Sequence, residues 1–92
     1  MDRAARTTTR SNELYRRAAE LIPGATQLVS RRQTRYAQGI SPAFATHARG
    51  ARFWDVDGNE YIDWVSGIAA IILGYADPIV DDAVREQIGR LT

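Results

Sequence analysis

Gly50-Ala51-Arg52-Phe53-Trp54-Asp55-Val56-Asp57-Gly58-Asn59-Glu60-Tyr61-Ile62-Asp63-Trp64-Val65 holds two short runs of β-forming residues around Asp57-Gly58-Asn59. Asp-Gly between such runs is a strong hairpin signal, because glycine supplies the positive φ that a tight turn demands. The runs are Arg52 to Val56 and Glu60 to Trp64. A third run, Phe44 to Ala48, precedes the turn at Arg49-Gly50. Three runs joined by short turns predict an antiparallel meander. Phe53, Trp54, Val56, Tyr61, Ile62 and Trp64 give it most of the chain's aromatic mass. A ribbon of three strands needs a covering layer on one face.

Working outward, residues 11–22 carry a helical period: Leu14, Ala18 and Leu21 in one row, Tyr15, Ala19 and Ile22 in the next. Ser11 is the expected N-cap and Glu13 an acid in the first turn. Glu13–Arg17 and Arg16–Glu20 have the spacing of helical ion pairs. Pro23-Gly24 stops the helix. Residues 25–42 show no period and read as a long irregular loop, a form that is uncommon unless it serves a function. Residues 65–76 are small and apolar, with Gly67 and Gly74 as hinges. Asp77 as N-cap and Pro78 at the first helical position open a second helix. Its apolar stripe is Val80, Val84, Ile88 and Leu91, and no stop signal interrupts it before Thr92. The expected fold class is therefore α+β: helix, loop, three-stranded antiparallel meander, helix. Residues 1–10 are expected to form a disordered polar tail, and 11–92 one segment that is truncated.

Composition bounds the chemistry. With 92 residues the chain is at most one small domain of marginal stability. It has no Cys, which excludes disulfides and thiolate metal sites, and its single His47 makes a zinc site implausible. No metal is expected. The net charge of +1 gives no reason to expect a nucleic-acid partner. All 12 basic residues are Arg, so chemistry that depends on a lysine amine is absent. The first twenty residues lack an apolar leader, and Ile68 to Leu73 is too short to span a bilayer. A soluble, cytoplasmic chain without a membrane partner is expected.

The candidate motifs thin out on inspection. Asp55, Asp57 and Asn59 alternate as in a calcium loop, but Gly58 and Ser66 fall at positions four and twelve, where glycine at six and glutamate at twelve are required. Turn geometry accounts for them. No pocket that would raise a carboxyl pKa can be inferred around Asp55, Asp57, Glu60 or Asp63. The glycines form no phosphate loop. Arg31 and Arg32, in the irregular loop, have the fork that suits a carboxylate or phosphate; spacing alone favours solvated surface charge.

In order, Leu21-Ile22-Pro23-Gly24, Pro42-Ala43-Phe44, the stretch from Gly50 to Val65 and Leu73-Gly74-Tyr75-Ala76-Asp77-Pro78 resemble the N-terminal region of class III pyridoxal-phosphate-dependent aminotransferases. The branch most similar is that of glutamate-1-semialdehyde 2,1-aminomutase. The resemblance runs from Ser11 to the end. It implies the N-terminal part of the transferase fold of type I: part of the small domain, and the helix from Pro78 leading to the large domain. It implies pyridoxal 5'-phosphate as cofactor of the full-length family, amino-group transfer to a carbonyl acceptor or within one substrate, and a homodimer. The family's Schiff-base lysine comes from the large domain, so this chain is expected to bind no coenzyme covalently and to be inactive alone. The alternatives are a module that docks on a full-length paralogue and a remnant of a truncated gene. The family's carboxylate-binding arginine falls on Arg31, with Arg32 the fallback if the loop shifts.

Three departures bear on substrate. Gly24-Ala25-Thr26-Gln27-Leu28-Val29 replaces the aminomutase-like sequence at this loop. Gly67-Ile68-Ala69-Ala70 stands where that branch has Ser-Trp-Gly-Pro, and Ala69 in place of glycine is expected to crowd a tight backbone. Asp77 stands where relatives carry His.

Overall fold

The computed structural model describes residues 6–91. Its elements are helix α1 (Thr9–Leu21), single 3-10 turns at Pro23–Ala25, Val29–Arg31 and Gln33–Arg35, strands β1 (Ala45–Arg49), β2 (Arg52–Asp55) and β3 (Glu60–Ile62), the short turn α2 (Ser66–Ala69) and helix α3 (Pro78–Leu91). The sheet has the order β1-β2-β3 and both pairings are antiparallel. This is the α+β arrangement expected. β1 begins one residue later than the apolar run, and a register irregularity lies between Ala45 and His47.

Asp55 organises the β2–β3 turn. Its Oδ1 accepts the N–H groups of Asp57 (3.0 Å) and Asn59 (2.8 Å), and its Oδ2 accepts from Asn59 Nδ2 (2.9 Å) and the Tyr61 hydroxyl (3.0 Å). The residue is 1% exposed. Burial raises the pKa of such a group, yet these hydrogen bonds outweigh it and hold the carboxyl below its ordinary value of 3.8. Phe53 stacks on Tyr61 on the same face (centroids 5.1 Å), while His47 stacks on Trp54 on the other (4.6 Å, 4°).

The same turn caps α1. Asp57 Oδ1 accepts from Arg10 N at 2.8 Å and Oδ2 from Ser11 N at 3.0 Å. These are second- and third-position donors of the helix, which have no partner within it. Thr8 precedes the helix without capping it through its side chain. The helix thus starts at Thr9, not Ser11, and residues 9 and 10 belong to it, not to a tail; residues 1–5 of the expected tail lie outside the described residues. Ser11 is not the cap. It is fully buried, and its Oγ accepts from Ala43 N at 2.8 Å. Asn59 Nδ2 also donates to Thr7 O (2.7 Å), so one turn binds the approach to α1 and its first turn. Replacing Asp57 by alanine is expected to cost about 1 kcal/mol of helix stability. It should lower the 222 nm circular dichroism of α1 while the ribbon's amide protection persists. The ion pairs among the described residues are Arg52–Glu60, Arg85–Asp82 and Arg90–Glu86; neither expected α1 pair forms.

The loop expected over 25–42 is tighter than an aperiodic reading implies. Its turns are pinned by side chains: buried Gln33 donates through Nε2 to Ser41 O (3.0 Å), and the Tyr36 hydroxyl donates to Ser30 O (3.3 Å). Thr8 Oγ1 and Asn12 Nδ2 both donate to Gly39 O, tying the loop to α1 (2.9 and 3.3 Å).

Among the described residues the buried side chains are Ser11, Gln33 and Asp55, and no hydrophobic residue is buried. Polar bonds, not an apolar core, join the elements. α3 starts as expected, with Asp77 Oδ1 accepting from Ile79 N and Val80 N (both 3.1 Å). No α3 residue is buried, and Val80, Val84, Ile88 and Leu91 are all exposed. The ribbon's covering layer is likewise incomplete: Trp64 is 89% exposed.

A candidate carboxylate-binding cleft

A cleft of about 730 Å³ opens between α1, the irregular loop and the ribbon. Tyr15, Phe44 and Phe53 line it on the apolar side; Arg31 and Asp63 bring its charge and Tyr75 a neutral hydroxyl.

Local geometry explains the placement of each polar group. Asp63 follows β3 and closes a turn on itself: Oδ1 accepts from Val65 N (2.9 Å) and Ser66 N (3.0 Å). Its Oδ2 accepts from the Tyr75 hydroxyl at 2.5 Å. Tyr75 is held by a two-way backbone bridge to Gly50, at 2.9 Å in each direction. Arg31, at the end of its 3-10 turn, extends Nη2 toward Gly67 O at 3.5 Å, a weak contact. The Tyr75 hydrogen bond, aided by backbone donors and the Arg31 charge, holds the Asp63 carboxyl below its ordinary value against the effect of burial. The same bond to Asp63, with burial and the carboxylate charge, pushes the Tyr75 phenol up, and Arg31 opposes the rise. The pair therefore persists from above the depressed Asp63 value to below the raised Tyr75 value.

The two arginines singled out in the sequence separate here. Arg31 lines the cleft. The Arg32 guanidinium lies over Gly24, where a Cβ built on that glycine would sit 2.7 Å from Nε. Asp63 and Tyr75 escaped the sequence reading as a functional pair. Nothing in a spacing of twelve residues marks them as partners; the Gly50–Tyr75 bridge creates the contact.

The turn after Asp63 is left-handed. Ser66, Gly67, Ile68 and Ala69 have φ of 52°, 61°, 62° and 66°. Only glycine takes this region without strain, and each other L residue costs roughly 1–2 kcal/mol there. The crowding expected of Ala69 is thus a backbone cost at positive φ. Gly67 and Ile68 of this turn also line the cleft. Strained backbone of this kind clusters at functional sites.

Residues 34–92 match the family model described as aminotransferase class-III. The chain belongs to the class-III aminotransferase family. It is 43% identical over 79 residues to a 3-aminobutyryl-CoA aminotransferase of Cloacimonas acidaminovorans (strain Evry), covering 86% of this chain and 19% of that protein. It is 42% identical over 79 residues to glutamate-1-semialdehyde 2,1-aminomutase 2 of Exiguobacterium sp. (strain ATCC BAA-1283 / AT1b), covering 86% and 18%. A transaminase solved with PLP bound superposes with a TM-score of 0.79 at 33% identity, over 96% of this chain and 20% of that one. The chain thus spans about a fifth of the length of the class-III aminotransferases it matches. Its fold is that of the corresponding part of PLP-dependent transaminases, so the type I architecture implied by the motifs holds.

The donor set of this class-III segment does not fit covalent attachment of that coenzyme. The chain contains no lysine side chain. No group of His, Cys, Asp and Glu among the described residues could hold a metal ion. No helix among them is long and apolar enough to cross a membrane.

Proposed function

We propose that this chain is the N-terminal segment of a class-III aminotransferase or aminomutase and contributes one wall of its substrate site. Residues 11–92 then form part of the small domain together with the helix that leads to the large one. Arg31 is the substrate-carboxylate residue in this reading. The observation that carries it is the position of Arg31 in the cleft beside a turn of left-handed backbone, with Arg32 over Gly24 instead. The substrate class is an amino acid or amino acid derivative with a free carboxylate. The working enzyme is a cytoplasmic homodimer.

The chain by itself neither binds PLP through a side chain nor transfers an amino group. Incubation with PLP, followed by borohydride and mass spectrometry, tests this with the α-amine blocked. We expect no added mass on any side chain; a stable side-chain adduct would refute the reading.

A second reading is favoured by a separate observation, the lack of any buried hydrophobic residue among those described. In it the chain docks on a longer aminotransferase through the exposed apolar face of α3 and the open face of the ribbon. Co-purification with a full-length paralogue supports docking. A monomer that folds cooperatively at micromolar concentration counts against it.

A further inference from the structure

Asp63 and Arg31 share the cleft, carry opposite charges, and yet form no ion pair. The reason is visible at the carboxylate. A carboxylate offers roughly four acceptor sites, and three bonds fix the orientation of this one. Two backbone N–H groups engage Oδ1, and the Tyr75 hydroxyl engages Oδ2 at 2.5 Å. Arg31 is left with the single weak contact to Gly67 O. Its forked donors stay open toward the cleft, and a fork of this kind takes a carboxylate through two parallel bonds.

We propose that Tyr75 is a positioning residue for Arg31: by tethering Oδ2 it keeps Asp63 from turning onto the guanidinium, which is thereby reserved for a ligand carboxylate. Asp63 sets the selectivity of the same place. It shares the cleft with Arg31, and its negative charge lowers the cleft's affinity for anions in general. A ligand must win by geometry, with both oxygens on the fork. A monoanion with one oxygen in reach gains less and is disfavoured.

The inference rests on Arg31 as the carboxylate-binding residue, so the test separates the two. The 92-residue chain, labelled with nitrogen-15, is titrated with sodium propionate against sodium chloride at equal ionic strength. The Gly67 amide reports the ligand, and the Arg31 Nε–H resonance reports closure of Asp63 in ligand-free protein. In Tyr75→Phe we expect the Arg31 resonance to move without ligand and propionate affinity to fall by about threefold, the scale of a competing exposed ion pair. Asp63→Asn should strengthen binding by a similar factor, and the double variant should recover at least the parent affinity. These opposite signs distinguish positioning from mere loss of structure. Protection of the Gly50 and Tyr75 amides shows that the bridge survives the loss of the hydroxyl. An unmoved Arg31 resonance together with unchanged affinity in Tyr75→Phe overturns the role of Tyr75. Weaker binding in Asp63→Asn overturns it as well, even if the phenylalanine variant does not fold. A propionate response absent from the parent, or retained in Arg31→Gln, overturns the reading of Arg31 instead; the ligand-free Arg31 resonance still decides Tyr75.

Discussion

Replacing Asp55 with alanine is expected to unfold the ribbon and release α1 with it. The side chain is the acceptor for four donors: two turn amides, the Asn59 amide group and the Tyr61 hydroxyl. Removing it strands these groups in partly buried positions, where a charged hydrogen-bond partner is worth roughly 1.5–3 kcal/mol and unsatisfied donors add to the loss. A total of about 3 kcal/mol or more is a large share of the stability of any domain this small. The effect spreads because the turn also carries Asp57, which caps α1, and Asn59, which holds Thr7. Trp54 fluorescence and helical dichroism should therefore be lost together in urea, at a midpoint well below that of the parent. Asp55→Asn should be milder, because an amide oxygen still accepts the two turn amides. The pH dependence has a definite sign. The Asp55 pKa is lower in the folded chain than its ordinary 3.8, so its stabilisation is present above that value. It is lost as pH falls through the folded value. Below pH 3.8 the parent should lose stability more steeply than Asp55→Asn; parallel curves would show that the carboxylate's charge contributes nothing.

Gly74→Ala is expected to break the cleft rather than the ribbon. Gly74 has φ +88°, and a Cβ there would lie 3.0 Å from both the Cα and the carbonyl oxygen of Gly50. The left-handed conformation alone costs an alanine roughly 1–2 kcal/mol. The close contact is with backbone, which cannot swing aside, so the total is about 3 kcal/mol, enough to separate the two segments. The Gly50–Tyr75 bridge opens, and the Tyr75 hydroxyl leaves Asp63. Two measurements follow. The Tyr75 amide should lose its protection from exchange, while Phe53 and Tyr61 in the ribbon keep theirs. The Tyr75 phenol, raised in the parent mainly by its bond to Asp63, should ionise at lower pH, nearer its ordinary 10.0. In the parent that raised value means stabilisation present below pH 10.0 and lost as pH rises through the folded value. An unaltered phenol titration would show that the bridge does not hold the pair.

Much of this was legible in the chain because it is local. The Asp-Gly turn, the three runs around it, the Pro23-Gly24 stop and the Asp77-Pro78 helix start each depend on neighbours a few residues apart. The strand ends were read to within about two residues, the ordinary precision of such boundaries. The family could be read too, since its landmarks lie in sequence order. Arg31 was named for the same reason, but its separation from Arg32 was not legible. Which of two adjacent arginines enters a cleft depends on the 3-10 turn between Val29 and Arg31, and no periodic pattern encodes that turn.

What the sequence alone determined is the order and kind of the elements, and the absence of a lysine on which the family's covalent chemistry depends. Tertiary structure decided the partners. Ser11 looked like a cap because serine before a helical row usually is one. Asp57 took that place from 46 residues away, since a half-buried turn carboxylate had to find donors and the first turn of α1 had to find acceptors. Asp63 and Tyr75 meet for a like reason: Gly74 lets its backbone approach that of Gly50 where no side chain fits. Hydrogen bonds between distant segments leave no period in the sequence, and among the described residues they, not an apolar core, hold the elements together.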